Sequence, residues 1–376
     1  MKVLFFINYI PPQYGGGYLR VFKIASRFKK DGILYKIMTC TKKCVYNKFF
    51  NVAADDCVFY KNKFYLFLLS ISFLIVNRNK FDVLYVASSQ WYTVVPVLIC
   101  KCLRKRVVVG ITLSQVDSPA VHVKGVVKRL YYQYKNLQFH FADFLFVNSP
   151  LLYDECINCG YGLEKIKLIN NPVDIEVFHP VSNEEYQILK NEIGIDNTYE
   201  TYLFVGSINN RKGANLFPQI FSQLFKCSDK KINFIICGQD GYPESQLIIE
   251  NIEAVLNQNG SRLFLRKEVS DVHKYYKVSD IFIFPTTNEG MPNVVLEAMA
   301  SGCMIFCNNL RGITDYVLTK DFLIENNDIG LYVERILDYR ENRAKYQALI
   351  QNNINLIKRE FSIRNVDDYI KSILFQ

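Results

Sequence analysis

The sequence holds one tryptophan, four histidines and no apolar run longer than thirteen residues. The longest such run, Phe64 to Val76, is too short to span a bilayer and reads as a buried or interfacial helix. His122, His140, His179 and His273 lie far apart, and neither HExxH nor Asp-x-Asp occurs. The pairs Cys100/Cys102, Cys156/Cys159 and Cys303/Cys307 do not make the doubled CxxC of a zinc site, so no metal is expected. The eleven cysteines form an odd, scattered set, which fits reduced core thiols in a cytosolic chain. The opening MKVLFFINYIPP is broken by Asn8 and two prolines too soon for a signal peptide, and reads as a strand. No short-period repeat or low-complexity tract is visible.

Half of the residues are hydrophobic and 22% are charged, which places the chain among globular proteins. Its 376 residues suffice for two domains, each with its own core. Charge is uneven. Residues 1–180 hold 24 Lys/Arg against 11 Asp/Glu, whereas the remainder holds 21 against 25. A net +13 beside a net −4 points the first half at something anionic. Its basic clusters, CKCLRKR (100–106) and VKGVVKRLYYQYK (123–135), adjoin apolar stretches, which suits an anionic membrane surface at least as well as nucleic acid. Solvated helix faces account for any single cluster equally well. With no nucleic-acid-binding module present, a nucleic-acid partner is not expected.

Short β-branched or aromatic runs alternate with helical stretches. Strands are expected at 2–8, 35–40, 83–87, 107–111 and 144–149, then at 201–207, 232–238, 262–266, 281–286 and 304–309. Runs apolar on both faces, alternating with helices, indicate parallel sheets covered on both sides. Two such blocks make two doubly wound α/β domains, separated by the proline-bearing stretch 170–186.

Open parallel sheets bind ligands at the carboxyl ends of their strands. Three stretches fall there. Gly15, Gly16 and Gly17 lie between the first strand and helix, where backbone amides can approach a phosphate; Arg20 stands where a dinucleotide fingerprint needs glycine. In FVGSINNRKG, Arg211 and Lys212 follow the strand ending at Gly206 and could neutralise a departing diphosphate. In NEGMPNVVLEAMASG, Pro292 is placed to start a helix, with Glu289 in the loop before it, Glu297 inside it and Gly302 at its stop. Dipole pairing covers Glu289 but explains Glu297 poorly, because Val294, Val295 and Ala298 are apolar. A carboxylate aimed into a crevice can accept two hydroxyls, as a ribose presents them.

The order FVGSINNRKG, IICGQDG, VSDIFIFPTTNEGMPNVVLEAMASGCMIF and RGITDYV resembles family 4 of the retaining glycosyltransferases, which have the GT-B fold. The resemblance is close over the second half and loose over the first, where it rests on the triple glycine, FADFLFVNSP and NNPVDIEVFHP. It implies two Rossmann-like domains facing each other across a cleft. Residues 1–175 would bind the acceptor, residues 176–360 would bind a nucleotide-sugar donor, and a last helix, 361–376, would cross back to the first domain. By position, Glu289 would hold the donor sugar, Glu297 the ribose, and Lys212 with Arg211 the diphosphate. Gly290, Met291, Pro292, Asn293 and Val294 would line the phosphates with Gly206 and Ser207, and Gly16 and Gly17 would approach from the other side. Ser207 stands where the family often has arginine, and Pro292 where it often has glycine. The usual first-domain histidine is missing, which leaves Thr112 and Ser114 as acceptor-side candidates.

The implied activity is metal-independent hexosyl transfer with retention and without a cofactor. The acceptor would be a glycan or polyprenyl-linked oligosaccharide of a cell-surface polysaccharide. The implied location is cytoplasmic, extending to the inner face of the plasma membrane. A non-hydrolysing sugar-nucleotide epimerase and a non-catalytic binding partner of the same fold stay open as alternatives.

Overall fold

A computed structural model describes residues 2–8, 16–40, 54–114, 116–120, 124–267, 269, 271–310 and 319–375, without the side chains of 16–19 and 54. Gly15, Cys44, His122 and the RGITDYV stretch lie outside the described residues. The chain divides into two compact units, Met1–Pro172 with Ile363–Gln376, and Val173–Ser362.

The first unit runs β1 Lys2–Phe6, α1 Gly16–Lys30, β2 Leu34–Thr39, β3 Cys57–Phe59, α2 Lys63–Val76, β4 Val83–Val86, α3 Val94–Cys102, β5 Arg106–Ile111, α4 Val126–Phe141, β6 Phe144–Val147, α5 Pro150–Asn158 and β7 Ile166–Leu168. Its strands form one parallel sheet in the order β3-β2-β1-β4-β5-β6-β7. Side-chain alternation sorts β1 onto both faces: Phe5 joins one core with α1, while Leu4 and Phe6 join the other with Leu66 and Leu74 of α2, Val97 of α3 and Phe139 of α4.

The second unit runs α6 Asn183–Ile193, β8 Glu200–Val205, α7 Phe217–Cys227, β9 Ile232–Cys237, α8 Ser245–Gln258, β10 Arg262–Arg266, α9 His273–Lys277, β11 Ile281–Phe284, α10 Asn293–Ser301, β12 Met304–Asn308, β13 Leu323–Ile324, α11 Ile329–Glu341 and α12 Arg343–Leu356. Its parallel sheet is ordered β10-β9-β8-β11-β12-β13. β9, β11 and β12 are buried along their whole length, as strands covered on both faces must be. Two Rossmann-like α/β domains with doubly wound parallel sheets are therefore the observed architecture.

The last helix, α13 Ile363–Leu374, belongs to the first unit and packs Val366, Ile370 and Leu374 into the core that holds α1. Asp367 lies on this apolar face with no exposure, 3.6 Å from the Arg27 Nε of α1 and bonded to Lys371, which also holds Asp31. Burial pushes the Asp367 carboxyl up from 3.8 to about 6, against the pull of Lys371. The folded state thus prefers the protonated acid. Its contribution to stability is fully present below about pH 4 and is lost as pH rises through 6, on the order of 3 kcal/mol in all. Asp367→Asn removes this dependence. Urea melts at pH 4 and pH 7 should show the variant gaining on the wild type across that window, and a pH-independent difference would overturn the assignment.

Three basic residues of the charged clusters serve the fold instead of a partner. The Arg106 guanidinium donates to the carbonyls of Ile373 and Leu374 at 3.3 and 2.6 Å. Lys101 pairs with Asp143 at 2.7 Å, and Lys135 is buried with its ammonium on the Val116 carbonyl. Ten cysteines among the described residues are free thiols. Cys102, Cys159 and Cys227 are exposed, so the expectation of core thiols holds for seven of the ten.

Candidate functional site

The β8–α7 and β11–α10 connections leave the carboxyl ends of neighbouring strands in the second unit. They are stitched together. The Arg211 carbonyl accepts from the Thr287 amide at 3.0 Å, the Thr287 hydroxyl at 3.0 Å and the Thr286 hydroxyl at 3.3 Å. Gly213 makes the approach possible: its φ is +73°, and a Cβ there would stand 2.1 Å from the Pro285 carbonyl oxygen. Asn209 fixes the preceding turn by accepting the Lys212 amide at 2.9 Å.

This stitching brings both cations onto one carboxylate. Arg211 Nη1 lies 3.1 Å from Glu289 Oε1 and also donates to the Asn288 carbonyl at 3.1 Å; the Lys212 ammonium bonds the same Oε1. Lys212 and Glu289 are largely buried, while Arg211 is exposed. Two cations on one anion leave a net positive charge at a half-open strand terminus, where an anionic group can be bound by charge-assisted bonds.

The helix α10 carries the second carboxylate. It begins at Asn293, one position later than expected, with Pro292 as its N-cap in extended conformation (ψ 116°) instead of its first helical residue. No side chain caps this end. Gly302, with φ +80°, stops the helix. Glu297 is 8% exposed and accepts from the Tyr276 hydroxyl at 3.4 Å, a phenol whose pKa burial and the neighbouring carboxylate hold well above its usual range. Gly290, Asn293 and Val294 are partly buried and Met291 and Pro292 buried, while Gly206 donates its amide to the Cys237 carbonyl at 3.0 Å, ahead of half-buried Ser207.

Sequence reasoning missed the amide scaffold beneath this loop. Asn308 Nδ2 donates to the Thr286 carbonyl and Asn327 Nδ2 to the Pro285 carbonyl, each at 2.9 Å. Asn308 Oδ1 accepts the Asn327 amide at 3.1 Å, and the Tyr332 hydroxyl holds Asn327 Oδ1 at 3.0 Å. The doubled asparagines in CNNL and ENND were the available signal. Asn326 and Asn327 both have positive φ, a conformation asparagine tolerates.

In the first unit, Gly16 and Gly17 open α1. Thr112 and Ser114 follow β5, and both hydroxyls are engaged: Thr112 donates to Asp117 Oδ2 at 2.9 Å, and Ser114 to Glu155. Asp117 organises this loop. It also accepts the amides of Thr112 and Leu113 and the Ser88 hydroxyl, and burial raises its pKa against those bonds. The sequence signal was Asp117 in DSP, a turn-forming triplet.

Known proteins resemble the chain both in sequence and in fold. A family model described as Glycosyl transferases group 1 matches residues 185–356, most of the second unit. The chain is 27% identical over 247 residues to the alpha-galactosylglucosyldiacylglycerol synthase of Streptococcus pneumoniae, covering 64% of this chain and 62% of that protein. It is 25% identical over 210 residues to the UDP-Gal:alpha-D-GlcNAc-diphosphoundecaprenol alpha-1,3-galactosyltransferase of Escherichia coli, covering 54% of each. The matches thus span less than two thirds of these relatives' own lengths. In fold, the chain is similar to HepE of Anabaena in complex with UDP, with a TM-score of 0.76, 18% identity and all of both chains covered. The fold is that of the GT-B structures.

Proposed function

We propose that the chain is a retaining glycosyltransferase of family 4 that moves a hexosyl group from a nucleotide-sugar to a lipid-linked oligosaccharide or polysaccharide acceptor. The observation that carries this reading is the convergence of Arg211 and Lys212 on Glu289, with Glu297 one helical turn inside the adjacent α10. A nucleoside diphosphate presents two features that this arrangement complements: a charged leaving group and a ribose diol.

In this reading, Lys212 and Arg211 take the negative charge that develops as the diphosphate departs, so that no metal is needed for that role. The α10 N-terminus adds backbone amides and the positive end of a helix dipole, with Gly290 to Val294 at the phosphates beside Gly206 and Ser207. Glu297 receives ribose hydroxyls, and Glu289 holds the sugar through a hydroxyl pair. Leaving group and acceptor hydroxyl share one face of the sugar, which gives retention. Gly16 and Gly17 in the first unit serve the donor phosphates, and the Thr112–Ser114 loop, held by Asp117, serves the acceptor. The relatives' names, a diacylglycerol glycoside synthase and a diphosphoundecaprenol galactosyltransferase, support a lipid-borne acceptor.

A thermal-shift screen against UDP-, GDP-, ADP- and dTDP-sugars tests the donor site. A true donor at a hundredfold excess over its Kd stabilises the fold by about 2.7 kcal/mol, a clear rise in Tm. Stabilisation by one base and not the others names the donor class. No shift with any nucleotide overturns the reading.

A further inference from the structure

We propose that α2 and α4 together form a docking face that inserts into the headgroup region of an anionic lipid bilayer. The proposal rests on the reading of a lipid-borne acceptor and names the surface that reaches it. Both helices pack on α3, on the same side of the first unit's sheet. Each buries one stripe and leaves another, apolar stripe outward. On α2 the inner positions are Leu66, Ser70 and Leu74; the outer ones include Phe64, Leu68, Leu69 and Val76, the last 76% exposed. On α4, Val127 is 81% exposed, and Val126, Leu130, Tyr134 and Phe141 continue its stripe at helical spacing. Most of the large apolar side chains exposed among the described residues stand on these two helices. An isolated exposed leucine needs no explanation, but two adjacent helices with outward apolar stripes do.

Charge selects the occupant. No Asp or Glu occurs between Asp56 and Asp82, the span holding α2, or between Asp117 and Asp143, the span holding α4. Exposed cations border the stripes instead: Lys61, Lys63, Arg78 and Lys80 at the ends of α2, and Lys124, Lys128 and Arg129 at the start of α4. A second copy of the chain would bring like charges together, which disfavours a dimer through this face. Anionic headgroups satisfy the cations while the acyl boundary takes the apolar side chains, the arrangement of an interfacial helix. The longer of these apolar segments is too short to cross the bilayer: no described helix is long and apolar enough to span. Tyr131 and Tyr134, exposed on α4, carry the amphipathic rings suited to the headgroup level.

The experiment is vesicle flotation of the full chain with phosphatidylcholine alone and with an equal mixture of phosphatidylcholine and phosphatidylglycerol. Binding is expected only to the mixture, weakening with salt. The double variants Leu68→Glu/Leu69→Glu and Val127→Glu/Leu130→Glu alter exposed positions, so folding should survive. Each should lower vesicle affinity at least tenfold while leaving the nucleotide-induced thermal shift unchanged. Lys128→Glu/Arg129→Glu should lower affinity and flatten the salt dependence. Wild type that ignores the mixed vesicles overturns the proposal, as do face variants that bind like wild type. Sedimentation showing a dimer that Val127→Glu/Leu130→Glu dissolves would assign the face to a second copy and overturn it too. Vesicle binding with no nucleotide shift would leave the docking face standing and remove the donor reading.

Discussion

Glu289→Ala should lower turnover by about 10²-fold or more while leaving nucleoside diphosphate binding intact or tighter. The direction follows from the charges. In the wild type, one carboxylate offsets part of the charge on Arg211 and Lys212. Removing it raises the local charge from about +1 to about +2, which attracts a diphosphate more strongly. The same change removes the group proposed to hold the sugar, so a donor would bind by its nucleotide and react poorly. Lys212→Ala should do the opposite and weaken diphosphate binding about tenfold or more, since it deletes a charge-assisted bond. Steady-state kinetics together with calorimetric titration of the diphosphate separate the two effects. If Glu289→Ala kept full turnover, or lost diphosphate binding and turnover together without unfolding, the division of labour between sugar and phosphate would fall. A non-catalytic binding partner, by contrast, would show no turnover to lose.

Much of this arrangement could be read from sequence, for a physical reason. The central strands are buried on both faces, so they stand out as apolar runs, and their carboxyl ends lead into the loops that carry Arg211, Lys212 and Glu289 and into the helix that carries Glu297. The strands that escaped were β3, β7 and β13, each an edge strand of two or three residues. Runs that short show neither alternation nor a sustained apolar stretch. Side-chain partners escaped for a different reason. Thr112 and Ser114 could be named as hydroxyls in a loop, but the tie of Ser114 to Glu155 depends on how the chain returns through α5, while Thr112 is held within its own loop by Asp117. The props from Asn308 and Asn327 to the loop at Thr286 and Pro285 likewise join residues far apart in sequence. Charge misled in the same way: Arg106 and Lys101 look like surface cations until α13 and Asp143 are placed beside them. The apolar stripes of α2 and α4 show the converse, since the run at Phe64–Val76 was legible as apolar while its outward half was not.

Glu200→Ala should cost the second unit about 3–5 kcal/mol, and lower its Tm by on the order of 10 °C. Glu200 begins β8, and its carboxylate gathers three donors. Oε2 accepts from Arg340 Nε at 2.8 Å and the Tyr202 hydroxyl at 2.9 Å, and Oε1 accepts from Arg343 Nη2 at 2.7 Å. The cluster fastens α11 and the start of α12 to the sheet. Burial and the carboxylate keep the Tyr202 phenol protonated, with its pKa well above the usual range, so it remains a donor. Arg340 is only 5% exposed, and its Nη1 already has no hydrogen-bond partner. Without Glu200 the guanidinium becomes a buried cation with no counter-ion, and that uncompensated charge carries most of the expected cost. Glu200→Gln should lie between alanine and wild type, because an amide oxygen still accepts but carries no charge. Glu200→Leu combined with Arg340→Met removes both charges and should recover most of the loss. Circular dichroism follows both units, whereas the single tryptophan, Trp91, reports on the first. The circular-dichroism melt of Glu200→Ala should therefore shift even where Trp91 fluorescence lags. A melt within about 1 kcal/mol of wild type would show the cluster to be a surface ion pair in energetic terms, whatever its burial.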